Sequence, residues 1–546
     1  MKRRDFLKTG LKLGVAVNTL PVLIGGRPVR ALGRSPLRRA LETTSANNNK
    51  VLVIVQLQGG NDGLNCLVPY TDSLYKQLRP TLGLDKTADN LLVLPDHNTL
   101  AFHGAMTGLS TLYAESKVAI LQNVGYATPS LSHFRGTDIW NTATDPSIYA
   151  STGWIGRYLL SQNPGYPPQT IPSGSWPLAV EFGNALSNLF LAQTGGMGVA
   201  INQMPTASNP STHHYDAIPP NPTTQYNELA YVRIIQEETE IYAQTIGGRS
   251  VSSNNVTYPT GNALATDFAG IAQMIKSQID LGQVQTKIYL VTQGSYDTHS
   301  NELTGQAKLL GALSDALLAF QQDLEAFGIA DQVAIMTYSE FGRRPKENGS
   351  GTDHGTAAPH FVISTQVIPG VHGSDPKLDT NSLIAGNLAY DPQHEFRNVY
   401  TTMLNEWLME GGSQTQIDSD IRSILTADTN GTYSTNSNWT SLGIFKAQPQ
   451  QAVAADPNAM GLTLMENYPN PASGLTTIEY ALPASGPVEL GIFSTSGAEL
   501  ERIIDQRQEA GLQRVSFNTS RLASGAYIYR LKTATGEIAQ RMIVEH

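Results

Sequence analysis

Four short apolar runs, each leading into a loop rich in Asp, His, Asn, Ser and Gly, constrain the fold of this chain more than any other feature. The runs are Val51 to Leu57, Val118 to Val124, Ile288 to Thr292 and Val333 to Tyr338. The first leads into Gly59-Gly60-Asn61-Asp62-Gly63-Leu64-Asn65 and the second into Ser130-Leu131-Ser132-His133-Phe134-Arg135. The third precedes Asp297-Thr298-His299, and the fourth precedes Asp353-His354 with His360 close behind. Continuous apolar runs of this kind read as strands buried on both faces, in a mainly parallel sheet covered by helices. Ligands of an open α/β sheet collect outside the carboxyl ends of its strands, so four distant loops can converge on one site. Carboxylates and imidazoles without thiolates suit zinc, manganese or a similar divalent ion.

Strand-like and helical runs alternate between residues 51 and about 445, which predicts a three-layer α/β/α sandwich. The clearest helix spans Leu303 to Phe327, with Leu310, Leu313, Leu317, Phe320, Leu324 and Phe327 at steps of three and four. It joins the Asp297/His299 loop to the strand at Val333, so strand, helix and strand are expected to form a right-handed crossover. Residues 140–285 behave differently: Pro/Gly/Ser/Asn-rich loops at 162–175 and 203–224 surround expected helices at 226–246 and 262–281. This region is expected to be an insertion or cap over the site, where substrate selection commonly resides.

The length of 546 residues exceeds one domain. Residues 1–49 carry ten Lys/Arg against Asp5 and Glu42, a net +8, which leaves −18 for the rest of a chain of net charge −10. An acidic body without a basic stripe excludes nucleic acid as a partner. The single cysteine, Cys66, excludes an intrachain disulfide framework and a thiolate-rich zinc site.

The basic start reads as a targeting segment over residues 1–46. Arg3-Arg4-Asp5-Phe6-Leu7-Lys8 precedes a modest apolar stretch, Leu11 to Gly25, broken by Asn18 and Pro21 and too short to span a membrane. It resembles a twin-arginine export signal, which makes the twin-arginine translocase a partner. A basic amphipathic helix is the plainer alternative. Residues 427–461 read as an Asn/Ser/Thr/Gln-rich linker. Residues 462–546 contain six alternating strand patterns at close to ten-residue spacing, which predicts a small all-β, Ig-like sandwich. Asn467-Tyr468-Pro469-Asn470-Pro471, Ile492-Phe493-Ser494-Thr495-Ser496-Gly497 and Leu522-Ala523-Ser524-Gly525-Ala526-Tyr527-Ile528-Tyr529 resemble the C-terminal sorting domain of the type IX secretion system. That resemblance implies the type IX machinery as a partner and an extracellular or cell-surface destination by way of the periplasm.

Over residues 50–426, Gly-Gly-Asn-Asp-Gly-Leu-Asn, Ser-His-Phe, Asp-x-His and Thr-Asp-His-Gly resemble the family called domain of unknown function 1501, of the alkaline phosphatase and sulfatase superfamily. By that resemblance Asp62, Asp353 and His354 would hold one divalent ion, and Asp297, His299 and His360 a second. Zinc comes first, with manganese, calcium and magnesium as alternatives. Ser132 would stand at the nucleophile position, with His133 as proton donor or further ligand. Arg343 would clamp a phosphate or sulfate oxygen. Asn61, Asn65 and Glu340 would support the ligands, Glu340 by orienting a histidine.

Each residue also has a plainer reading. Asp62 suits a turn, Asp297 and Asp353 suit helix caps, and His133, His299 or His360 could be structural. Ser132 could make an ST-turn or a cap, and Glu340 and Arg343 a salt bridge. The loop at Ser130–Arg135 lacks the C/S-x-P-x-R pattern of formylglycine sulfatases, and Asp297-x-His299 is tighter than the Asp-x-x-x-His of typical phosphatases. The expected function is an exported metal-dependent hydrolase acting on a phosphate or sulfate ester, small or polymer-borne, by in-line transfer through Ser132. The alternative is a non-catalytic cell-surface binding protein that keeps the fold.

Overall fold

The computed structural model describes residues 23–24, 27–28, 49–163, 166, 174–205, 240–247, 253–282, 284–409, 414–426, 439–446 and, with short breaks, 462–545. Most of the expected targeting segment 1–46 and most of the expected helix 226–246 lie outside the described residues. The chain divides into two compact units, one holding residues 47–446 and the other residues 447–546.

The larger unit is built on an eight-stranded sheet. Its strands in chain order are β1 (Val51–Leu57), β2 (Val118–Val124), β3 (Ala179–Phe182), β4 (Val199–Ile201), β5 (Ile288–Gln293), β6 (Val333–Tyr338), β7 (Ala358–Ile363) and β8 (Gly370–His372). They lie side by side in the order β4-β3-β5-β1-β6-β7-β2-β8. Parallel pairing joins the five strands from β4 to β6, and joins β2 to β8. Only β7 runs against its two neighbours.

Helices α1 (Thr107–Ala114), α2 (His133–Thr142), α3 (Trp154–Gln162), α4 (Ala263–Asp280), α5 (Glu302–Ala326), α6 (Phe396–Thr402) and α7 (Gln414–Leu425) cover both faces. Successive side chains of a strand point to opposite faces, and β1 divides its residues accordingly. Val51, Val53, Val55 and Leu57 share a core with Leu109 and Leu112 of α1, Phe268 and Ile271 of α4, and Leu310, Leu317 and Leu324 of α5. Leu52 and Ile54 share the opposite core with Trp140 of α2, Ile155 and Leu159 of α3, Tyr400 of α6 and Ile421 of α7. At roughly 1.5–3 kcal/mol for each large apolar side chain buried, β1 ties the two layers into one cooperative body.

Two expectations are corrected here. The described part of residues 140–285 is not a separate cap: β3 and β4 extend the central sheet, and α3 and α4 pack on its two faces. Strands of four and three residues were too short to show a periodic pattern in the sequence. The expected linker also begins too early, because Ile444 and Phe445 are buried in the larger unit and residues 367 and 445 form a β-bridge.

The smaller unit is all-β. Thr463–Leu464, Leu475–Leu482 and Gly511–Asn518 form one antiparallel sheet, and Glu499–Gln508, Gly486–Ser494, Gly525–Thr533 and Gly536–Val544 form another. Ile478, Tyr480, Leu490, Ile492, Tyr529, Leu531 and Met542 share one apolar core. The six expected strands are all present, because each long strand alternates apolar and polar residues clearly.

Candidate metal centre

Loops from β1, β2, β5 and β6 leave the same edge of the sheet. Antiparallel β7 brings the preceding segment, Thr352–His354, to that edge at its own amino end. His354 is therefore at the site by the opposite chain direction from Asp297. The β1 loop is held close to the β5 loop by glycine. Gly59 has φ +122° and Gly60 φ +82°, and a Cβ on Gly59 would stand 2.4 Å from the Asp297 backbone nitrogen. Only glycine adopts this path without strain.

Three imidazoles converge on one carboxylate. Asp297 Oδ1 lies 3.1 Å from His354 Nε2 and 3.2 Å from His299 Nε2, and Asp297 Oδ2 lies 3.4 Å from His133 Nε2. His299 Nε2 and His354 Nε2 are 3.0 Å apart. Each ring is oriented from behind through Nδ1. His133 Nδ1 lies 2.8 Å from Glu340 Oε1, and His354 Nδ1 donates to the Leu131 carbonyl at 2.7 Å. His299 Nδ1 faces Asp353 Oδ1 at 3.5 Å. A neutral imidazole carries one N–H. With the Nδ1 protons directed to these acceptors, lone pairs remain at Nε2 and face Asp297.

Lone pairs that face a carboxylate repel it unless a cation lies between them. His133 Nε2 is buried and makes no hydrogen bond, the mark of a donor atom awaiting a partner. Nitrogen and oxygen ligands at ~2.1 Å from a common zinc ion stand ~3–3.5 Å apart, which matches the spacings above. His133, Asp297 and His354 place their ligand atoms within 4.8 Å of one another, so these three donors fit a divalent ion, with His299 beside them. Phe341 packs against both His133 and His354, with ring centroids 4.9 and 4.6 Å away, and fixes the two imidazole planes.

Asp297 is itself held in place by Arg343. Burial pushes the Asp297 carboxyl up, but the hydrogen bond and charge of Arg343 outweigh it and hold the group at about 2. Asp353 is more exposed. The Asn348 side-chain amide holds its carboxyl below the usual range.

Several expected roles change. Asp62 is fully buried away from this cluster. Its two oxygens face Arg79 Nη1 and Nη2 at 2.5 and 2.8 Å. Desolvation opposes ionisation there, but the Arg79 charge and hydrogen bond keep the carboxyl below its ordinary value. Both oxygens are thus engaged by a cation the sequence did not flag. Asn65 accepts from Arg79 and Tyr75, and Asn61 accepts from Gln306. All of these residues build the β1 loop. His360 is also away from the cluster. As the third residue of β7 it runs inward from the edge, 3% exposed and 5.1 Å from the Trp140 ring. Burial alone pushes its pKa down to about 3.

Arg343 is not free to clamp an oxyanion. It is buried and donates to the carbonyls of Gly60, Thr352, Gly59 and Tyr296 and to Asp297 Oδ1. Glu340 stands behind His133, where the sequence reading put it behind a histidine. Ser132 is exposed at the amino end of α2. Its hydroxyl makes no capping hydrogen bond, so the expected cap does not form.

Residues 279–409 match the family described as Protein of unknown function (DUF1501). Asp297, His299, Glu340, Arg343, Asp353 and His354 lie inside that stretch, and His133 lies outside it. Residues 466–545 match the Secretion system C-terminal sorting domain. That domain indicates the type IX secretion machinery and export to the cell surface or the extracellular space. No helix among the described residues is long and apolar enough to cross a membrane. No curated protein matches the chain.

Three solved structures resemble parts of it. A Vibrio parahaemolyticus protein of the alkaline phosphatase superfamily is 12% identical, with a TM-score of 0.28 over 72% of this chain and 78% of its own. A Bacteroides thetaiotaomicron protein from a core locus for glycosaminoglycan metabolism is 9% identical, with a TM-score of 0.32 over 86% and 90%. PorZ, a type IX secretion component of Porphyromonas gingivalis, is 20% identical with a TM-score of 0.13, and this chain spans only 14% of its length.

Proposed function

We propose that the protein is an exported, metal-dependent hydrolase whose site is built on Asp297, His133, His354 and His299. It acts on a phosphate or sulfate ester. The observation that carries this reading is the convergence of Nε2 atoms on Asp297, each ring held from behind by Glu340, Leu131 or Asp353. Three imidazoles and one carboxylate favour zinc, with manganese second. When bound, the ion would act as a Lewis acid toward an ester oxygen.

The chain's own residues supply the rest. Ser132 precedes His133, with its hydroxyl outside the capping role. The first backbone N–H groups of α2 have no partner within the helix, and a helix amino end favours an oxyanion. Ser132 Oγ is the nucleophile in this reading. It gives up its proton and forms a bond to phosphorus or sulfur as the ester oxygen leaves and takes up a proton; water then displaces the serine oxygen, which regains a proton from that water. Charge balance favours one ion over two, because Asp62 and His360 are committed elsewhere.

The second reading, a cell-surface binding protein with one structural ion, is favoured by Arg343, which is consumed by backbone carbonyls and Asp297 and so is not free to hold an oxyanion. A panel of phosphate and sulfate esters, assayed on zinc- and manganese-loaded protein beside Ser132→Ala, separates the two. Turnover that Ser132→Ala abolishes supports the hydrolase. Tight metal binding without turnover on any ester supports the binder.

A further inference from the structure

Two loops bring ligand residues to the candidate metal centre from separate parts of the chain, Asp297–His299 and Asp353–His354. Their backbones touch directly, with Thr352 N donating to the Thr298 carbonyl at 3.2 Å and Glu302 N donating to the Ser350 carbonyl at 2.9 Å. The side chain of Glu302, the first residue of α5, joins the same two loops. It is 0% exposed. Its Oε2 accepts from Thr298 Oγ1 at 3.0 Å and from Thr352 Oγ1 at 2.5 Å. Thr298 stands between Asp297 and His299, and Thr352 immediately precedes Asp353 and His354.

We infer that Glu302 is a positioning residue for the metal centre, stapling the Asp297/His299 loop to the Asp353/His354 loop through Thr298 and Thr352. The inference rests on the metal-site reading above. One buried oxygen with two donors fixes the spacing between loops, and so fixes how far His299 and His354 stand from Asp297. Water cannot replace either contact inside so closed a site, so removal of one leaves a polar group unsatisfied. Burial and the nearby Asp62 charge push the Glu302 carboxyl up to about 8, and its other oxygen, Oε1, is buried with no hydrogen-bond partner. The geometry therefore suits a side chain with one oxygen that accepts from two hydroxyls and a second polar group beside it. Glutamine has those groups.

The test is a set of zinc dissociation constants measured by competition with a chromophoric chelator, with melting in chelator as a separate readout. Partners that orient metal ligands are worth ~10–100-fold in affinity. Glu302→Ala is expected to lose about that much, and Thr298→Val and Thr352→Val ~10-fold each. Glu302→Gln is expected to recover wild-type affinity. If Glu302→Ala does not fold, the two valine variants carry the test. Affinity unchanged in both valine variants, with only the metal-free melting lowered, overturns the staple and leaves the metal site standing. Wild-type protein that binds no zinc overturns the metal-site reading and this inference with it.

Discussion

Glu340 Oε1 lies 2.8 Å from His133 Nδ1 and 2.9 Å from the Gly59 backbone nitrogen. One buried carboxylate thus aims an imidazole and anchors the glycine turn beside Asp297. A carboxylate behind a ligating histidine raises its basicity and fixes its tautomer. Glu340→Gln is expected to lower zinc affinity by ~10–100-fold while leaving the fold intact, since glutamine can still contact His133. Equilibrium dialysis with radioactive zinc measures it. Affinity within experimental error of wild type would detach Glu340 from the site.

The Asp62–Arg79 pair predicts the opposite pattern. Both side chains are fully buried, and removal of one member of such a pair costs about 3–5 kcal/mol because the other charge is stranded. Arg79→Met should therefore lower the urea midpoint strongly while metal content per folded chain stays at the wild-type level. Loss of metal without loss of stability would return Asp62 to the ligand set.

His360 gives a pH signature. Burial holds the folded His360 at about 3, below the ordinary histidine value of 6.5, so between those values the unfolded chain binds a proton that the native chain refuses. Its favourable contribution is complete above pH 6.5 and is lost as the pH falls toward 3. The slope is about 1.4 kcal/mol per pH unit for one proton. His360→Leu should flatten the stability profile of wild type between pH 6 and pH 4 by that slope. Identical slopes in urea titrations of the two proteins would show that His360 is protonated in the native state.

The fold was legible where apolar runs were long. β1, β2, β5, β6 and α5 stand close to their expected bounds because buried strands and a 25-residue helix carry strong patterns. β7 was not read as a strand, and its reversed direction explains why His360 misled. A histidine six residues after His354 looks adjacent in sequence, yet an inward-running strand carries it into the core. Asp62 misled for a different reason. Its sequence neighbourhood is that of a ligand loop, but its partner Arg79 lies in another segment, and a buried ion pair leaves no local pattern. His133, Asp297 and His354 were all among the expected residues. Their grouping was missed because it depends on which ring nitrogen each backing acceptor occupies.

Truncation tests the division into two units. Lys446 N donates to the Gln366 carbonyl and Ile368 N to the Ile444 carbonyl. A chain ending at Lys446 is therefore expected to melt as the full-length protein does and to keep its metal. A chain ending at Thr440, which loses buried Ile444 and Phe445, should melt at a lower temperature. Equal melting of both truncations would show that this segment adds nothing to the core.

The central claim is that Asp297 gathers the imidazoles of His133 and His354 around one divalent ion, with His299 beside them. Inductively coupled plasma mass spectrometry on wild-type and Asp297→Ala proteins, each loaded with zinc and desalted, tests it most directly. The account predicts about one equivalent of zinc per wild-type chain and almost none in Asp297→Ala, with both proteins folded by circular dichroism. Equal zinc content in the two proteins, or none in wild type, would contradict it.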